Sequence, residues 1–309
     1  MQPERTEKAA GIKADGPSGR AVLLKYRGPY GYDELLDFFS ARAIPGVETI
    51  HGGSYCRTVR LPTPGGGQVS GHIRVGHVPG ENAVSLRVSA CLEAVLPEVS
   101  DRVERMFGLY CDPDAVSPVL RSMDDIRPGL FREGVRVPGC FDAFETSVRA
   151  VLGQQITVKA AGTLAGRVVR AFGSPCDPDI DGLEYVFPSP REMLEADDAA
   201  GRLGRAGVIS ARANTILALA RQLDRGYIRL TPDASAEEEM EKLLAIKGIG
   251  SWTARYIAMR TMCYPDAFLE TDLGVRRALG GCSPREAAAM AQKWAPWRSY
   301  AVASLWNSH

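Results

Sequence analysis

Leu243-Leu244-Ala245-Ile246-Lys247-Gly248-Ile249-Gly250-Ser251-Trp252-Thr253-Ala254 reads as the end of one helix, a turn punctuated by two glycines and the start of a second helix. Just upstream, Ser235-Ala236-Glu237-Glu238 has the spacing of a capping box, in which Ser235 accepts from a first-turn N–H and Glu238 reaches back. Met240, Leu243 and Leu244 then supply a buried face. That helix must stop at Lys247-Gly248-Ile249-Gly250, because glycine adopts a positive φ freely and lets another backbone come close. The second helix runs to about Met262, so the pattern predicts a helix–hairpin–helix over about 236–262. Unpaired N–H groups and the helix dipole make the start of that second helix attractive to an anion. A DNA phosphate could dock at Gly248, Gly250 and Thr253, with Lys247 and Arg255 adding positive charge. Such contacts position a duplex without reading its bases. An ordinary turn between two packed helices fits the same dozen residues equally well.

Working outward toward the N-terminus, helical signals persist as far as about Leu92. Ala236–Ile246, Val208–Leu223 and Pro190–Ala199 read as helices, and Gly173–Pro190 as a loop rich in Pro, Asp and Gly. Phe141–Phe172 is helical with a break at Gly153-Gln154-Gln155, and Val95, Val99, Val103, Met106 and Phe107 recur at helical spacing. Before that the period changes. Ala21–Tyr26, Tyr55–Leu61, Gly71–Val78 and Val84–Val88 read as strands, with one helix at Tyr32–Phe39 presenting Leu35, Leu36 and Phe39. The run Pro64-Gly65-Gly66-Gly67 is a hairpin turn and not a phosphate loop, since no Gly-Lys-Ser/Thr follows it. The expected fold class is α+β. Residues 1–20 form a disordered tail or linker, 21–110 a small domain with a mixed sheet, and 111–309 an all-helical region carrying the hairpin.

Composition sets limits on the partners. Lys+Arg and Asp+Glu both number 37 in 309 residues, which rules out a binder that relies on bulk charge but allows a local basic face. The seven cysteines are scattered without a C-x-x-C pair and the four histidines are dispersed, so no zinc site, iron–sulfur cluster or other metal set is expected. Unpaired cysteines, no membrane-spanning apolar run and no signal core lead us to expect a cytoplasmic protein with reduced thiols.

Downstream of the hairpin comes Phe268-Leu269-Glu270-Thr271-Asp272-Leu273-Gly274-Val275-Arg276-Arg277. Together with the hairpin, this string resembles the helix-hairpin-helix DNA glycosylases, in particular the 3-methyladenine DNA glycosylase II branch. The resemblance extends to Pro138-Gly139-Cys140-Phe141-Asp142-Ala143-Phe144-Glu145, to Leu152-Gly153-Gln154 and to Pro296-Trp297-Arg298-Ser299-Tyr300-Ala301. It also includes Ser40-Ala41-Arg42-Ala43 and Val47-Glu48-Thr49, so it covers the chain from about Ala21 onward.

The resemblance implies a monofunctional glycosylase that hydrolyses the N-glycosidic bond of alkylated, 3-methyladenine-like bases in double-stranded DNA, as a monomer and without a cofactor. It makes Asp272 the catalytic residue. A carboxylate can stabilise the positive charge that builds on the deoxyribose and can orient the attacking water. A base alkylated to a cation is already a good leaving group, so one carboxylate can suffice. As a simpler role, Asp272 or Thr271 would cap the following helix. Trp252, Tyr256 and Trp306 correspond to the family's aromatic pocket for a flipped base. Aromatic faces attract a cationic base by about 0.5–2 kcal/mol per contact. Bifunctional relatives carry a lysine where Trp252 stands, so no lyase step is expected. Gln154 and Gln155 fall where the family contacts DNA and wedges the minor groove.

This chain departs from one well-known member, which has leucine at the position of Gln155, aromatic residues at those of Leu273 and Asn307, and a second aspartate at that of Thr271. The departures leave the lesion range open. Two rival readings remain: a non-catalytic hairpin module that only binds DNA, and a glycosylase for deaminated or oxidised purines.

Overall fold

The computed structural model describes residues 11–12, 19–176 and 178–308. The period-2 segments form an antiparallel sheet of β1 (Gly11–Ile12), β2 (Ala21–Lys25), β3 (Glu48–His51), β4 (Ser54–Pro62), β5 (Gln68–Val78) and β6 (Ala83–Val88). The order is β1-β2-β6-β5-β4-β3, with every neighbouring pair antiparallel, so the sheet is not mixed. On β6, Val84, Leu86 and Val88 are buried while Arg87 points to solvent, as the alternation requires. The Pro64–Gly67 run turns β4 into β5, with Pro62 opposite Gln68 and Gly66 at φ +85°. Two helices, α1 (Tyr32–Arg42) and α2 (Leu96–Met106), share the core of this sheet through Leu35, Phe38, Phe39, Val99, Val103 and Met106.

Several local expectations change. Gly11–Ile12 lies in the stretch read as a tail, yet it pairs with Val22 and Ala21; residues 1–10 and 13–18 lie outside the described residues. The short β3, with its polar sequence Glu-Thr-Ile-His, gives no clear alternation and is not recognisable before its pairing is known. The loop at 173–190 holds a two-stranded ribbon, β7 (Ser174–Pro175) and β8 (Tyr185–Val186).

The rest is helical: α3 (Pro113–Leu120), α4 (Ala143–Leu152), α5 (Val158–Phe172), α6 (Pro190–Glu195), α7 (Ala199–Arg205), α8 (Ser210–Asp224), α9 (Ala236–Leu244), α10 (Ser251–Thr261), α11 (Leu273–Ala278), α12 (Pro284–Met290) and α13 (Arg298–Trp306). The helix expected over Pro190–Ala199 ends at Glu195, and a new one begins after Asp198. That aspartate takes a left-handed conformation (φ 49°) and caps α7 by accepting from the Gly201 N–H at 3.1 Å. In α9, Leu243 is buried but Leu244 is exposed; Ala236 and Glu239 complete the inward face instead.

α4 is the central strut, buried from Phe144 to Leu152 except at Arg149, and it packs against α5, α8 and α10. A buried charge network ties it to the sheet. Arg57 on β4 pairs with Glu145 on α4 at 2.5 Å, Arg149 reaches Glu48 on β3 at 3.5 Å, and the Tyr55 hydroxyl donates to Glu48. Among the described residues, no helix is long and apolar enough to cross a membrane.

Candidate active site

The hairpin forms where the sequence places it. Ser235 caps α9 by accepting from the Glu238 N–H at 3.3 Å, although the reciprocal bond of a capping box is not made. Gly248 has φ +97°, and a Cβ there would lie 2.2 Å from the Thr215 hydroxyl, so conformation and space both demand glycine. Thr215 on α8 holds the turn from beneath, donating to the Lys247 carbonyl at 2.8 Å. Gly250 has a different role. A Cβ there would meet nothing within 4 Å, and it begins α10 with no side-chain cap, leaving the first-turn N–H groups open to an incoming anion. Lys247 is exposed beside them. Arg255 differs from Lys247 in that its guanidinium pairs through Nη1 with Glu270. Thr253 is buried, and its hydroxyl accepts from the Gln154 amide at 3.1 Å.

Asp272 sits at the N-cap of α11, where Oδ1 accepts from the Val275 N–H at 3.0 Å. Two indole N–H groups converge on the same carboxylate: Trp252 Nε1 donates to Oδ2 at 3.1 Å and Trp306 Nε1 to Oδ1 at 3.2 Å. One side chain therefore both caps α11 and accepts from the two indoles. Three donors fix its orientation, and the two rings that supply them form the walls beside it. Gly274 keeps this corner clear, since a Cβ would lie 3.1 Å from Asp272 Oδ1 and 3.4 Å from the Trp306 ring.

Trp252 and Tyr256, one turn apart on α10, stack with ring centroids 5.0 Å apart and planes 12° apart. Trp306 approaches Tyr256 at 6.3 Å and 54°, making an angled wall at the end of α13. Both ends of α13 are tied down. Arg298 bonds to Asp266 at 2.7 Å through Nε, and Arg132 donates to the Asn307 carbonyl at 2.9 Å. Behind Trp306 stands a residue from the other end of the chain: Phe38 on α1 stacks on it at 5.5 Å and 24°. Arg260 donates to the Tyr256 hydroxyl at 2.6 Å and to the Gly139 carbonyl at 2.8 Å. Burial pushes the Tyr256 phenol up, but Arg260, Arg42 and Arg149 together outweigh it, and the net shift is down from the ordinary tyrosine value. Phe38, Arg42, Arg260 and Gly274 were not singled out from sequence. A helical i, i+4 pair such as Phe38 and Arg42 gives no sign that a distant helix will carry Trp306 onto it.

Between α4 and α5, Gln154 and Gln155 part company. The Gln154 amide donates to the Gly248 carbonyl at 2.9 Å as well as to Thr253, and Arg212 on α8 donates to the Gln154 carbonyl, so this residue buttresses the hairpin. Gln155 is exposed at the tip with φ 56°, a left-handed conformation rare for a residue with a Cβ. The resemblance places Asp272, Trp252, Tyr256 and Trp306 in one site, and the structure brings these four side chains together. Among the described residues, no group of three or more His, Cys, Asp or Glu could hold a metal ion.

This arrangement matches known proteins along nearly the whole chain. Residues 21–142 match the family model described as the AlkA N-terminal domain, and residues 148–294 that of the HhH-GPD superfamily base excision DNA repair proteins. The chain is 34% identical over 284 residues to DNA-3-methyladenine glycosylase 2 of Escherichia coli (strain K12), covering 92% of this chain and 95% of that protein. It is 36% identical over 317 residues to a probable bifunctional transcriptional activator/DNA repair enzyme AlkA of Mycobacterium tuberculosis (strain CDC 1551 / Oshkosh), of whose length it covers 60%. In fold it is similar to a solved 3-methyladenine DNA-glycosylase from Archaeoglobus fulgidus, with a TM-score of 0.72 over 92% of this chain and 96% of that one at 22% identity. Two domain matches in order and a full-length relative show that this protein belongs to the DNA-3-methyladenine glycosylase 2 family, the hydrolytic DNA glycosylases of the HhH-GPD superfamily.

Proposed function

We propose that this glycosylase releases alkylated bases of the 3-methyladenine type from double-stranded DNA, with Asp272 as its catalytic residue. The observation that carries the reading is the Asp272 carboxylate, held by two indole N–H groups whose rings are the walls of the same site. A hairpin that only gripped the backbone would need no such carboxylate. A flipped base packed against the walls formed by Trp252, Tyr256 and Trp306 would bring its C1′ toward Asp272. As the C1′–N bond breaks, positive charge spreads over the sugar and the carboxylate stabilises it. A water oxygen then bonds to C1′, and its proton passes to Asp272 and on to solvent. The aromatic faces favour a cationic base by cation–π attraction, which supports alkylated purines as substrates.

Lys247, Gly248 and Gly250, with the backbone of Thr253, would take a phosphate. Gln154 would hold that turn in place, and Gln155 would enter the minor groove to fill the gap left by the flipped nucleotide. The left-handed backbone at the exposed Gln155 supports this assignment, since such conformations concentrate at functional turns. An indole in place of a lysine amine at Trp252, itself bonded to Asp272, supports hydrolysis without a Schiff base. The labour divides between 21–110, which backs the pocket with Phe38, and 111–309, which carries the chemistry and the grip.

Incubation with methylated duplex DNA tests the reading by its products. Free 3-methylated base with the strand left intact at the abasic site is expected, and borohydride should trap no covalent adduct. Strand cleavage on release, or release of no methylated base, would contradict it.

A further inference from the structure

Arg42 ends α1, and its guanidinium lies beside the aromatic residues of the proposed base pocket, sharing a cavity with Tyr256. Its carbon lies 3.8 Å from the centroid of the Phe38 ring and 5.9 Å from that of Trp306, the ring that donates to Asp272. The neighbouring guanidiniums have hydrogen-bond or ion-pair partners, although Arg260 also lies over the Phe38 ring at 4.9 Å. Arg260 bonds to the Gly139 carbonyl and the Tyr256 hydroxyl, and Arg149 pairs with Glu48. Arg42 makes only a long bond of 3.5 Å to the Phe38 carbonyl of its own helix, and among the described residues no carboxylate pairs with it. Burial, foremost, and the nearby Arg260 and Arg149 lower its pKa, while Tyr256 and Asp272 act to raise it. A guanidinium remains charged under such pressure and offers five donors in a fixed plane. No Arg42 nitrogen is both buried and unpartnered, so its free donors face solvent, and a ligand that supplies acceptors there would gain charge-assisted hydrogen bonds.

We propose that Arg42 is a specificity-determining residue that favours neutral purines with acceptor edges over cationic alkylated bases. This rests on the pocket assigned above. When the C1′–N9 bond breaks, the bonding electron pair stays on the base. A cationic base therefore leaves neutral, whereas a neutral base leaves as an anion and takes a proton from solvent afterwards. Water oxygen bonds to C1′ in both cases, and its proton leaves by way of Asp272. A guanidinium beside the aromatic wall stabilises the departing anion and repels the cation. The aromatic rings pull the other way, toward cations. Arg42 thus sets the balance between two substrate classes within a single pocket.

The test compares single-turnover release of hypoxanthine and of 7-methylguanine from otherwise identical duplexes by wild type, Arg42→Met, Arg42→Gln and Arg42→Lys. The rate ratio of hypoxanthine to 7-methylguanine is expected to fall about tenfold in either neutral variant and to recover in Arg42→Lys. Melting curves identify which neutral variant is folded, and either one suffices. An equal loss for both bases, as a phosphate contact or a packing strut would give, overturns the proposal. So does a wild type that releases 7-methylguanine but no hypoxanthine. A wild type that releases neither base contradicts the pocket assignment itself.

Discussion

At the scale of single residues, Asp272 is defined by its donors. Each indole N–H supplies a charge-assisted hydrogen bond, a class worth about 1.5–3 kcal/mol. Trp306→Phe keeps an aromatic wall and removes one donor, so base release in single turnover should fall roughly tenfold while binding of undamaged duplex stays close to wild type. Unchanged release would show that the indole contributes only its ring. Gly274→Ala presses a methyl group on both Asp272 and Trp306 and should slow release without lowering the melting temperature by more than a few degrees. Trp252, Tyr256, Trp306 and Asp272 were named as site residues through the family resemblance, and the structure places them side by side. Phe38 and Arg42 were not named as site residues, because they enter the site from α1 across more than two hundred residues of chain, and no local spacing encodes that approach.

At the scale of elements, the hairpin, α8 and the turn after α4 act as one unit. Thr215 and Arg212 on α8 hold the Lys247 and Gln154 carbonyls, and the Gln154 amide reaches both the Gly248 carbonyl and Thr253. The period of apolar residues and the two glycines announced the hairpin itself. Its platform was hidden, because Thr215 reads as an ordinary mid-helix position until the turn is laid across it. Gly248→Ala meets the Thr215 hydroxyl and carries a left-handed penalty as well, so it should cost about 2–4 kcal/mol in urea unfolding and weaken duplex binding. Gln155→Ala removes the exposed tip alone. It should reduce affinity for damaged duplex with little change in stability, and binding by both proteins should weaken as salt rises. Equal affinity of wild type and Gln155→Ala for damaged DNA would refute the wedge assignment.

At the scale of the whole molecule, the two halves meet through buried charge. The α+β plan followed from the change of period near Leu92, but the network joining the halves did not, since Arg57, Glu48 and Glu145 look like surface residues in a linear reading. Removing one member of a buried pair strands the other, typically at about 3–5 kcal/mol. Glu145→Ala should therefore be strongly destabilised, and the double variant Arg57→Met, Glu145→Leu should recover much of the loss in thermal melting. Additive losses would show that the pair is not coupled. With α4 anchored in this way, the sheet domain fixes Phe38 behind Trp306 and so helps shape the site it does not itself catalyse from. The proposed function rests on one carboxylate, Asp272. Single-turnover release of 3-methyladenine by Asp272→Asn measures that claim directly. The asparagine preserves size, and its one oxygen can still accept from the Val275 N–H and one indole while its NH2 meets the other, so the folded variant should bind damaged duplex yet release base about 100- to 1,000-fold more slowly. Release at the wild-type rate by a folded Asp272→Asn protein would contradict the account.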